Sequence, residues 1–296
     1  LADKFAAGLS FAYNAMNNTT GINIKNGTWN VKDFGANSAN NNYALAVGAG
    51  VAFSKESSAI NGSVGLNMGT NSTKSIADGL TMSGIKTLKA TATDSTSKTT
   101  VAGNANLSKG GAVALGGAVA YANIGKANDK EVINAKITNS NITAENNSNI
   151  EVESLDKAIM TTVGAGAGGS SASLTFQGAA AVSQVNKDNV AEISNSNITG
   201  SPDIKIKSTS GGNSSEGLNI NGRKIDVNNK VKTAAAVLDA NLSNDSWFDG
   251  AFAISVNKFN QTTAANFKGD GKRETGKVST SHVGNVDMFK RRNFGA

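Results

Sequence analysis

A chain of 296 residues with no cysteine and one histidine excludes disulfide staples, cysteine-ligated metals and metal sites built on several histidines. Its 33 glycines, single proline and 5% aromatic content do not suit a globule packed around large side chains. The formal net charge is +6, and no apolar run is long enough to cross a membrane as a helix.

Taken in order, Phe5, Ala7, Leu9, Phe11 and Tyr13 alternate with Ala6, Gly8, Ser10 and Ala12, which predicts a strand. Ile22-Asn-Ile24 and Trp29-Asn-Val31 then flank an Asn26-Gly27 turn signal. A second copy of the pattern starts near Tyr43, where Tyr43, Leu45, Val47, Val51 and Phe53 oppose Ala44, Ala46, Gly48, Gly50 and Ala52. Ile60 to Met68 predicts a further strand, and Ile76 to Ala90 a short-strand phrase.

A third copy starts near Thr99 and holds the fullest version, Gly111 to Asp156. There Val113, Leu115, Val119 and Tyr121 share one face, and Ala114, Ala118, Ala120 and Ala122 the other. The bulky face is expected to fill a core. The bare face is expected to allow close approach or to lie flat to solvent. Internal glycines and strict alternation argue against a helix. Ile137-Thr-Asn-Ser-Asn-Ile142 recurs as Ile193-Ser-Asn-Ser-Asn-Ile198, and Ile150-Glu-Val-Glu-Ser154 as Ile204-Lys-Ile-Lys-Ser208. These are half-buried strands separated by Asn and Ser turns, where Asn tolerates positive φ.

The fourth and fifth copies start near Thr161 and Lys232. Val185-Asn-Lys187-Asp-Asn189 and Val256-Asn-Lys258-Phe-Asn260 are expected to be turns echoing Gly125-Lys126-Ala-Asn128. Repetition at this scale points to a quasi-one-dimensional stack, with each copy making more than one coil. At about 4.8 Å per coil, roughly fifteen coils would give a rod of about 70 Å. A pair of β-sandwiches also alternates, but does not repeat its turns.

The Gly/Ala-rich alternating strand, the Asn-Lys-x-Asn element and the I-x-N-S-x-I…I-x-V-x-S phrase resemble passengers of bacterial type V secretion. The nearest likeness is to large leukotoxin-like filamentous adhesins exported by autotransporter or two-partner routes. The resemblance implies a right-handed parallel β-helix; the repeats make it a single all-β unit over residues 1–296, and the late lysines and arginines give it a basic, partly irregular end at 268–296. The resemblance also implies a bacterial cell-surface or secreted location. It transfers no catalytic residue. With neither leader nor C-terminal barrel, the chain is expected to be a piece of something larger.

Enzyme chemistry finds little support in the residues. His282 has no recognisable triad partners. Gly164-Ala-Gly166-Ala-Gly168-Gly169 fits a dinucleotide fingerprint, but strand follows where a helix is required, so small-face packing is expected. Asp239, Asn241, Ser243 and Asp245 offer alternate oxygens without the glycine and bidentate Glu of a calcium loop. Acidic residues are scattered, and Glu151 and Glu153 face lysines in the next copy, which suits a solvated charged face.

The expectation is therefore a non-enzymatic adhesin segment without cofactor or metal. It would be a rigid stalk presenting loops to a host or partner-cell receptor or acidic glycan, with many weak contacts adding by avidity. Candidate anchors are Trp247 and Phe248 in the Asn244 to Asp249 loop. Candidate polyanion contacts are Lys268, Lys272, Arg273, Lys277, Lys290, Arg291 and Arg292. Nucleic acid is not expected, because few aromatics interleave these charges. A cytolytic passenger segment and a carbohydrate-active β-helix are the alternatives.

Overall fold

The computed structural model describes residues 5–110, 113–171, 174–210, 218–220, 223–225, 231–241, 248–268 and 278–284. It is all-β, with parallel strands in curled sheets. The first pass of the chain runs through β1 (Phe5–Ala15), β2 (Asn18–Lys25), β3 (Thr28–Asn30), β4 (Asp33–Asn40) and β5 (Tyr43–Ser54). The second uses β6 (Ser58–Met68), β7 (Asn71–Asp78), β8 (Thr81–Asp94) and β9 (Ser97–Ser108). The third uses β10 (Val113–Ile124), β11 (Glu131–Thr138), β12 (Asn141–Asp156) and β13 (Ile159–Ser170). The fourth fuses its first two strands into β14 (Leu174–Ser194), then follows β15 (Asn197–Thr199) and β16 (Asp203–Ser210). A short antiparallel pair, β17 (Leu218–Ile220) and β18 (Arg223–Ile225), precedes β19 (Val231–Asn241). β20 (Phe248–Lys268) and β21 (Val278–Gly284) complete the described chain.

Apart from β17 and β18, each strand lies parallel beside a counterpart in a neighbouring pass. Phe5 sits beside Ser58, Leu115 beside Ile60 and Phe176, and Phe176 beside Gly250. The copies read from sequence coincide with β5, β9, β13 and β19, since Leu45 pairs Thr99, Thr99 pairs Thr161, and Thr161 pairs Lys232. Each copy is thus one wide pass, not several coils. The β1 to β20 direction is five strands deep, so the stack is about 20 Å high. The expected count of coils fails because one pass consumes several strands joined by sharp corners.

Those corners follow from residue type. Asn26, Asn139 and Asn195 have φ near +50°, and Gly79 has φ +66°, at the same corner of successive passes. Asn and Gly visit this region at low cost. Their amides donate to the next pass: Asn26 N to Asp78 O and Asn139 N to Ser194 O. Beside them a serine column closes the corner, with Ser140 N donating to Ser196 Oγ at 3.2 Å.

The cross-section has two unlike halves. In one, β2, β7, β11 and the second half of β14 face β4, β8, β12 and β16 across an Ile/Leu core. Leu88, Ile133, Ile137, Ile150, Val152, Ile193 and Ile206 are buried there. Each such side chain contributes about 1.5–3 kcal/mol by leaving water. Its outer face is polar, with Glu151 bridged by Lys89 at 3.2 Å and Lys205 at 3.5 Å, and Glu153 by Lys207 at 3.2 Å. That is the solvated charged face expected from sequence.

The other half is inverted. β1, β6, β10 and the first halves of β14 and β20 face β5, β9, β13 and β19. Ala59, Ala102, Ala114, Ala118, Ala120 and Ala122 are buried between them. Leu9, Phe11, Val47, Val51, Val119 and Ile254 point outward and are exposed. The expected orientation of the alternating strands is therefore reversed. Glycine explains the reversal: a Cβ at Gly48 would lie 2.7 Å from the Val64 carbonyl oxygen, and one at Gly65 2.8 Å from that of Val101. The sheets are too close for anything larger than alanine in many inner positions. The run from Gly164 to Gly169 packs within strand β13, as expected of small-face packing.

Candidate functional site

The outer faces of the inverted half form two apolar surfaces back to back. On one, the row Phe11, Val64, Val119, Ala180 and Ile254 runs across successive strands. The next row is Tyr13, Leu66, Tyr121, Val182 and Val256. On the opposite face the row is Val47, Val101, Val163 and Ala234. Leu9 is 92% exposed and Leu238 71%, so these are not marginal surface residues. Contiguous apolar surface of this kind marks an interaction site.

Aromatic residues recur along the strands of these faces. Phe5, Phe53, Phe176 and Phe248 lie toward the free tip, where Ser54-Lys55-Glu56-Ser57 and Lys109-Gly110 turn the chain. The three tyrosines, Tyr13, Tyr43 and Tyr121, lie toward the junction with the polar half. Phe11 and Phe252 lie between these two groups among aliphatic side chains.

Inside, polar side chains bond the close sheets together. Asn67 Nδ2 donates to Ala44 O at 2.9 Å and Thr99 O at 3.2 Å. Ser183 Oγ donates to Thr162 Oγ1 at 2.8 Å.

At the junction lies a buried charge cluster. Glu131 pairs in register with Lys187, and Lys187 with Gln261. Facing them, Asn40, Asp94, Asp156 and Ser210 follow one another in register. Lys187 Nζ is 2.7 Å from Glu131 Oε1, 3.0 Å from Asp156 Oδ1 and 3.8 Å from Asp94 Oδ2. Lys98 Nζ donates to the carbonyls of Asn123 at 2.8 Å and Gly69 at 3.1 Å. Apart from the partly buried Gln261, these side chains are essentially withdrawn from solvent. Burial pushes Glu131 up to about 7 and Lys98 down to about 8. Burial opposes the charge on Lys187, but Asp156, Glu131 and Asp94 outweigh it and raise its pKa. Among the described residues no group of three or more His, Asp or Glu is arranged to hold a metal ion.

Of the sequence candidates, Phe248 is half exposed and its ring stacks on Phe176 at 6.4 Å. It belongs to the apolar face, not to a polar loop. Lys268 is exposed and pairs with Glu192 at 3.2 Å. Trp247, Lys272, Arg273, Lys277, Lys290, Arg291 and Arg292 lie outside the described residues. His282 falls in β21, beside Ser208. The Asn-Lys-x-Asn segments at 186–189 and 257–260 run within β14 and β20 and are not turns. Lys187 was missed in the sequence, and strand parity is the signal that marks it. Lys187 shares its face with Val185, Asn189, Ala191 and Ile193, all buried.

Comparison with protein-family models, with curated proteins and with solved structures finds no match to this chain.

Proposed function

We propose that the chain is a right-handed parallel β-solenoid segment of a secreted or surface-displayed bacterial adhesin, related to type V passengers. Its contact surface is the pair of outward apolar faces, not the polar loops. The observation that carries this reading is the inversion itself. Large apolar groups are spent on the outside of strands whose inside holds alanine, glycine and asparagine. A stalk alone has no use for Leu9, Phe11, Val47 and Val119 in water. The polar half keeps an ordinary core and gives the segment rigidity.

A second reading is a membrane-active, cytolytic segment. The placement of Tyr13, Tyr43 and Tyr121 at the junction end of the apolar faces favours it, because tyrosine settles at lipid–water boundaries.

Binding of the labelled chain to host cells tests the first reading. A Val47→Lys, Val119→Lys, Ile254→Lys variant should lose binding. A Lys89→Glu, Lys205→Glu variant on the polar half should keep it. Equal binding by all three samples would return recognition to loops or to the basic end. Dye release from vesicles without cell adhesion would favour the second reading.

A further inference from the structure

We propose that Lys187 and Asp156 condense to an intramolecular amide joining the third and fourth passes, with Glu131 as the proton carrier. The inference rests on the junction cluster and is independent of what the apolar faces bind.

Three features converge. The first is proximity: Nζ of Lys187 lies 3.0 Å from Asp156 Oδ1 and 2.7 Å from Glu131 Oε1, with all three groups fully buried. Held reactants of this kind gain greatly over the bimolecular reaction. The second is polarisation of one carboxyl. Asp156 Oδ1 accepts from the Ala158 amide at 3.0 Å. Its Oδ2 accepts from Ser210 Oγ at 2.9 Å and Gln261 Nε2 at 3.2 Å. These donors are placed to hold charge that develops on oxygen. The third is contrast. Apart from the lysine, neither Glu131 oxygen finds a hydrogen-bond partner. A carboxyl left this way, and raised to about 7 by burial, exchanges protons near neutrality.

A small cavity beside the pair is walled by Ile124, Ala158, Val185, Val231 and Phe259. It keeps the surroundings apolar and offers the released water a place. Two buried opposite charges are expensive to hold, and condensation removes both.

The balance is simple. Glu131 takes one proton from the ammonium, and the free amine attacks the Asp156 carboxyl carbon. Oδ2 carries the negative charge against Ser210 and Gln261. Oδ1 receives the proton from Glu131 and a second proton from nitrogen, and leaves as water. The C–N bond forms, one C–O bond breaks, and Glu131 returns to its starting state. No oxidant or cofactor is required.

Intact mass of the denatured full chain is the test. The expected mass is one water below that of the sequence, with a Lys187–Asp156 cross-linked peptide after digestion. Asp156→Ala should show the full sequence mass. Asp156→Asn should lose ammonia in place of water. Glu131→Gln should stay unreacted while retaining its β-sheet circular dichroism. Full mass in a folded wild-type chain overturns the proposal. So does a cross-link mapped to Glu131 or Asp94. The wild-type mass and cross-link map suffice by themselves, so a variant that misfolds leaves the test intact.

Discussion

The ring of Phe252 lies on the bare backbone of Gly178, its neighbour in the next strand, and Phe176 tilts against the same ring at 5.5 Å. Large side chains of one pass fill gaps left by glycine in another. The contact predicts an asymmetry between outer and inner glycines. Gly178→Ala needs only a ring to swing toward solvent, and should cost about 1 kcal/mol or less. Gly164→Ala brings its Cβ within 2.6 Å of the Ala180 carbonyl oxygen, which is backbone. That change should cost about 2–3 kcal/mol. Urea midpoints at constant m-value measure the difference.

Neighbouring residues on one strand should respond oppositely to charge. Val119→Lys places an ammonium where Val119 already meets water, and should shift stability by no more than about 1 kcal/mol. Ala120→Lys forces a long cation between sheets with no room for it, and should cost more than about 4 kcal/mol or prevent folding. Thermal melts followed by circular dichroism separate the two. Equal tolerance would mean the sheets are not in this close contact.

In β12 the same comparison runs the ordinary way round. Ile150→Ala empties a fully buried site and should cost about 2–5 kcal/mol. Glu151→Ala removes two partly exposed ion pairs and should cost about 0.5 kcal/mol, falling further in high salt. Chemical denaturation at low and high ionic strength reads both.

The junction sets the pH dependence. Glu131 is raised from 4.5 to about 7, so the folded chain holds a proton that the unfolded chain has released. Stability should fall as pH rises through that window. Lys98 is lowered from 10.5 to about 8, so the unfolded chain holds the extra proton there. Stability should rise between those values. Loss of the Lys187 charge through an amide would push Glu131 further up, leaving the first direction unchanged. Glu131→Gln should flatten the acid limb and Lys98→Met the alkaline one, both read from denaturation midpoints across pH.

The strands and the Asn corners were legible because period-2 alternation and turn chemistry act locally. Asn139 and Asn195 occupy the left-handed corner that their surroundings demanded. Which face of a strand looks inward is not local. Val119 and Ala120 alternate identically whether the opposing sheet stands near or far. That spacing is fixed by Gly48, Gly65 and Gly164, distant in sequence, whose missing Cβ atoms draw the sheets together. Lys187 hid for a related reason. An Asn-Lys-Asp-Asn string looks solvent-seeking until Glu131 and Asp156 arrive from other strands to receive the lysine.

The switch of character at the junction also guards against slippage. In β14 the residues facing inward include Ala179, Ala181 and Ser183 before the junction, and Ala191 and Ile193 after it. A strand threaded one residue out of step would drive Phe176 and Val182 into a slot cut for alanine. Farther along the same strand it would turn Ile193 out to water and Glu192 inward. Each half vetoes the error by a different force, one by volume and one by solvation. Repetitive chains are ordinarily prone to pairing in the wrong frame. Here a single long strand reads two incompatible rulers, and only one alignment satisfies both.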